Sequence, residues 1–134
     1  MAHQFVVQLD KRPGSFARLG RALVARNIDI RGMLRGGAGY CAYAVLTTED
    51  DAEARAALRA SGWPFLEGQT IVVSVEDRPH GLAAVTDRLA MAGVAIERVL
   101  FLDRREGRVE TAFAVDDAAR ARRVLGLPLS GPAR

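Results

Sequence analysis

The residues with most chemical promise lie in one turn, Asp10-Lys11-Arg12-Pro13-Gly14-Ser15-Phe16. Pro13 suits a helix entry, because the N–H it lacks would be an orphan there. Gly14 has no side chain, so a ligand or another backbone can come close. With a helix beginning at Gly14 or Ser15, the N–H groups of Gly14, Ser15 and Phe16 point outward at the positive end of the dipole, which makes a small anion site. A helix terminus contributes only ~0.3–1 kcal/mol toward an exposed charge. A second set of contacts is therefore required. A free amino acid supplies it, with its carboxylate on the turn, its ammonium on a group such as Asp10 or Asp29, and its side chain in a pocket between units. The bland alternative is that Arg-Pro-Gly is simply a good strand-to-helix turn.

What positions this turn is an internal repeat. Val6-Val7, Arg12-Pro13, Ala17, Leu23 and Ile30 recur 66 positions later as Val72-Val73, Arg78-Pro79, Ala83, Leu89 and Ile96. Leu9, Asp10, Phe16 and Leu19 become Val75, Glu76, Leu82 and Val85. Two copies of one module are expected, at 1–68 and 69–134. Units this small are marginal alone, so they should pack on each other and on a second chain.

In copy one, residues 5–9 read as a buried strand. Phe16, Leu19, Leu23 and Val24 then share one helical face, with Arg18, Arg21 and Arg26 on the other. Asn27 ends the helix and a strand resumes at 28–30. Gly36-Gly37-Ala38-Gly39 reverses the chain into a strand at 40–47. Asp50 or Asp51 caps a helix at 52–60, closed by Gly62, and a strand follows at 64–67. Copy two repeats this with strands at 70–76, 94–102 and 108–115, helices at 81–92 and 117–125, and a turn at 103–107. Val109, Thr111, Phe113 and Val115 alternate with Glu110, Ala112 and Ala114, which predicts a sheet covered on one face. Gly62-Trp63-Pro64-Phe65 is echoed by Gly126-Leu127-Pro128-Leu129, after which the last strand is short or missing. The fold class is α+β, two ferredoxin-like βαββαβ units with strand order 4-1-3-2 and helices on one face. The bare sheet faces and edges need cover, and 64–76 reads as one long strand shared by the units.

Residues 10–30, with the Arg-Pro-Gly turn, the apolar helix spacing and the Asn27-Ile28 return, resemble the ACT domain. Residues 76–96 resemble it again, and the closest type is the small stand-alone tandem ACT protein. The resemblance implies a regulatory binder of amino acids, paired through its sheets. It implies that Asp10, Arg12, Pro13, Gly14, Ser15 and Phe16 line the site with Asn27, Ile28 and Asp29. Copy two departs from the pattern: His80 stands where the family has glycine, Gly81 follows one place later, Gly93 replaces Asn27 and Ala95 replaces Asp29. Its site, Asp77, Pro79, His80, Gly81 and Leu82, is expected to be altered or lost.

Catalysis finds little support. His3 aligns with Gln69 and His80 with Gly14, so the only histidines share no symmetric metal geometry. The His and Glu strand pattern of glyoxalase-like repeats is missing. Ser15 has no evident base. An acylphosphatase-like site needs Arg and Asn together, and most of a helix separates Arg18 from Asn27. RNA-type stacking needs aromatics two apart on one strand face, whereas Tyr40 and Tyr43 are three apart. A net charge of +3 and a pI near 9.7 come from 19 basic against 16 acidic residues, mixed along the chain, and fit a solvated surface. Cys41 and Trp63 read as core. A single cysteine and an opening without an apolar signal segment point to the cytoplasm, and no apolar run suits a membrane. The expectation is a non-enzymatic sensor, without cofactor, metal or nucleic acid, that binds an amino acid, dimerises through its sheets and signals to a separate effector. The alternative is a structural protein-interaction module with vestigial ligand sites.

Overall fold

The computed structural model describes residues 3–37 and 42–127. Tyr40, Cys41 and the Pro128-Leu129 echo lie outside them. The first unit runs β1 (Gln4–Gln8), α1 (Ser15–Val24), β2 (Ile30–Gly36), β3 (Tyr43–Thr48), α2 (Asp51–Ser61) and β4 (Phe65–Gly68). Its sheet has the order β2-β3-β1-β4, antiparallel throughout. This is the expected 4-1-3-2 read from the other edge. The second unit runs β5 (Thr70–Glu76), α3 (Pro79–Met91), β6 (Ile96–Arg105), β7 (Arg108–Val115) and α4 (Ala118–Leu125). Its sheet, β5-β7-β6, has no fourth strand among the described residues. Two aspartates start helices: Asp50 accepts from the N–H of Glu53 at 3.1 Å and Asp117 from that of Arg120 at 3.0 Å.

The period-2 pattern sorts the apolar residues into separate layers. Phe5, Val7 and Leu9 face α1 and α2, where they meet Leu19, Leu23 and Leu58. Ile71, Val73, Val109 and Phe113 pack with Leu89 of α3 and Ala121 of α4. Between the sheets, Val6, Tyr43, Val45 and Leu66 meet Val72, Leu102, Ala112 and Ala114. The layers are therefore helices, sheet, sheet, helices. The expected one-faced sheet is corrected here. The Ala112 and Ala114 face is buried as well, because their small side chains let the first sheet come close.

Polar ties cross the same interface. Tyr43 Oη donates to Glu110 Oε2 at 2.6 Å, Gln8 Nε2 to the carbonyl of Phe101 at 2.9 Å, and Thr70 Oγ1 to Gln4 Oε1 at 3.1 Å. Lys11 forms an ion pair with the buried Asp103.

Two further expectations change. Residues 64–76 form two strands rather than one, because β4 pairs with β1 and β5 with β7. Gln69, between them, is held to the second unit: its side chain donates to Asp116 O at 3.1 Å and accepts from Ala118 N at 2.9 Å. The turn expected at 103–107 is only Glu106–Gly107, with φ of 54° and 76°. Two positive φ values in succession match the twist of a two-residue hairpin. Asp103 and Arg104 stay in strand β6.

Candidate functional site

The turn between β1 and α1 is built around Asp10. Gly14 caps the helix at φ 86°, a left-handed conformation that costs glycine little. Ser15 is buried, and its Oγ lies 2.6 Å from Asp10 Oδ1, 2.7 Å from Asp10 O and 2.9 Å from Arg12 O. From one turn into the helix, the guanidinium of Arg18 reaches back to both Asp10 carboxylate oxygens at 3.1 Å and to Ser15 Oγ at 3.0 Å. Arg12 pairs with Asp10 from the solvent side. Hydrogen bonds from Ser15 and then Arg12 lower the Asp10 pKa from 3.8 to about 2.

That shift makes a prediction. A carboxyl that ionises more readily folded than unfolded adds stability above its unfolded pKa. This contribution is lost as pH falls from 3.8 toward about 2. In acid titrations followed by circular dichroism, Asp10→Asn should lack that part of the acid dependence. Superimposable normalised curves would mean that the Asp10 contacts contribute nothing.

Beside the turn lies an open cavity of about 460 Å³, with Gln8, Asp10, Arg12, Arg18, Trp63 and Pro64 in its wall. Asp10 offsets one of the two arginines, leaving one positive charge in excess. The N–H of Ser15 is taken by Arg12 O at 3.3 Å, so the turn offers fewer backbone donors than its spacing implies. Phe16 packs against the helix-side core.

Asn27, Ile28 and Asp29 are at the other end of α1, ~15 Å away for a helix of 10 residues. Asn27 ends the helix with φ 57°, Ile28 is buried, and the Asp29 carboxylate is 3.6 Å from Arg31 Nε. None lines the turn cavity. Sequence spacing does not mark Arg18, Gln8, Trp63 or Pro64 as site residues. Arg18 falls on the helix face opposite the core, which periodicity reads as solvent. Trp63 and Pro64 come alongside because β4 pairs with β1 and Pro64 O accepts from Gln8 N at 2.9 Å.

The second turn is constructed differently. Pro79 opens α3 after an extended Arg78, and His80 is exposed within the helix. Gly81 passes so near the preceding strand that a Cβ there would lie 2.2 Å from Glu76 O, which explains the glycine one place late. Leu82 stands where copy one has Phe16. Here a cavity of about 500 Å³ is bordered by Val75, Asp77, Leu82, Phe101 and Arg104. Arg104 binds Asp77 at 2.6 Å and lies 5.3 Å from the Phe101 ring centroid.

Strand order, crossover helices and the repeat together decide the architecture. The fold is α+β of the ferredoxin-like type, with the full βαββαβ order in the first unit. No family model matches the sequence, and no curated protein matches it. Solved structures similar to this chain include a protein from Bacteroides thetaiotaomicron, at 18% identity over 93% of this chain and 86% of that one, TM-score 0.49. The ligand-free regulatory subunit of aspartate kinase from Thermus thermophilus is 21% identical over 92% and 90%, TM-score 0.44. The acetolactate synthase small subunit from Thermotoga maritima is 8% identical over 92% and 84%, TM-score 0.39.

Proposed function

We propose that this chain is a non-enzymatic regulatory protein of two units, 1–68 and 69–134, whose first unit binds an amino acid in the turn cavity and signals to a separate cytoplasmic effector. The observation that carries this reading is the excess positive charge of Asp10, Arg12 and Arg18 beside the apolar wall of Trp63 and Pro64. A ligand carboxylate pairs with Arg12, whose side chain is 74% exposed and free to swing. The ammonium takes the Asp10 oxygen that Arg12 releases, and the side chain lies on Trp63. Each sheet already covers the other's inner face, so a homodimer would form through edges such as β2, where Leu34 is 49% exposed. Among the described residues no helix is long and apolar enough to cross a membrane.

Heating the protein against the amino acids tests this. A ligand at 100 times its Kd adds ~2.7 kcal/mol, a shift of several degrees. Arg12→Ala should abolish the shift while leaving the fold intact. Gly14→Val is a poorer lesion, because φ 86° strains a β-branched residue even where space exists. The second reading, an interaction module, is favoured by one fact: Asp10 is already satisfied by the protein's own Ser15, Arg12 and Arg18. A flat response across the panel, with a copurifying partner, would establish that reading instead.

A further inference from the structure

A cavity of about 520 Å³ opens at the seam where the edge of one sheet lies over the edge of the other. Both units wall it. Arg59 and Trp63 come from the end of α2 and the segment after it, Phe65 from β4, and Glu97 and Arg98 from the start of β6. Along β6, Arg98 is in step with Leu100 and Leu102, the residues packed toward the first sheet. Arg98 itself is exposed, so its guanidinium stands at the rim of that face, where it borders the cavity.

Among the described residues, the side chains of Arg59, Glu97 and Arg98 make no ion pair or hydrogen bond. Glu67, the remaining acid of the cavity, is held by Arg55 at 2.5 and 2.7 Å and by His3 at 3.2 Å. Two unpaired cations therefore face one unpaired anion, which leaves the cavity short of negative charge. Its other wall is aromatic. Guanidinium groups take carboxylate or phosphate in paired hydrogen bonds, and a flat ring stacks on an indole or a phenyl group.

We propose that the seam cavity is a second binding site, separate from the turn, for a flat ring that carries a carboxylate or phosphate. The ring rests against Trp63 and Phe65, and the anionic group is held by Arg98 and Arg59. Such a ligand touches both units at once, whereas the turn ligand touches the first alone. Trp63 and Pro64 belong to both walls, so the two sites adjoin.

Trp63 is also the only tryptophan, so its fluorescence reports on both cavities, and the arginine variants tell the two apart. The full chain would be titrated with benzoate, phenylalanine and AMP, with acetate and adenosine as controls that lack the ring or the charge. A saturable change with at least one ring-bearing anion, and with neither control, is expected. Benzoate and AMP separate a carboxylate ligand from a phosphate ligand. Arg98→Ala should weaken that ligand at least about tenfold, the loss expected of a charge-assisted hydrogen bond, while Arg18→Ala leaves its affinity unchanged. Three outcomes overturn the proposal: no saturable change with any ring-bearing anion, equal affinity in Arg98→Ala, or a signal lost in Arg18→Ala. The last would place the ligand in the turn cavity and uphold the functional reading without the seam site.

Discussion

Replacing Lys11 by Met is expected to cost about 3 kcal/mol and to lower the melting temperature by roughly 10 °C. Lys11 belongs to the first turn, yet its ammonium pairs with Asp103 of the second unit, whose side chain is only 3% exposed. Removing one partner of a buried pair strands the other charge away from water. The cost is set at the low end because half of the Lys11 side chain is in solvent. The double variant Lys11→Met with Asp103→Leu removes both charges and should recover most of the loss, which calorimetry on the two variants would show. An unchanged melting temperature in Lys11→Met would mean that the carboxylate is satisfied without it. This pair also joins the candidate ligand turn to strand β6. A ligand that shifts residues 10–12 therefore pulls on the second unit.

Tyr43→Ala should cost about 4 kcal/mol. The ring is 1% exposed, in the layer between the sheets, and it covers Gly36 so closely that a Cβ there would lie 2.1 Å from Tyr43 Cζ. Losing the ring opens a cavity between the sheets, which both would have to move to refill. Tyr43→Phe keeps the ring and loses the bond to Glu110, for about 1 kcal/mol. Urea denaturation of both variants separates the terms. Equal losses would show that the hydroxyl, rather than the ring, closes the sandwich.

Local pattern carried much of the architecture. The repeat of Val6-Val7 as Val72-Val73 and of Arg12-Pro13 as Arg78-Pro79 marks corresponding strands and turns. Asp50 and Asp117 mark helix starts that the structure keeps. The misses are tertiary. Ala112 and Ala114 look like a weakly polar face because alanine is neutral to the pattern, and only the opposing sheet makes that face core. Asp103 looks like a turn residue until Lys11, distant in sequence, neutralises it. Arg18 has the spacing of a solvent residue, yet its length carries the guanidinium back to Asp10. Arg59 and Arg98 give no local signal at all, since stacking two sheets brings them to one cavity.

Gln69 alone separates β4 from β5. Each sheet therefore receives its covering partner from its own chain, at the high effective concentration that so short a tether imposes. A pair of sheets assembled from separate chains would come apart on dilution. Here the inner faces stay closed at any protein concentration, and the chain keeps its sandwich however scarce it becomes.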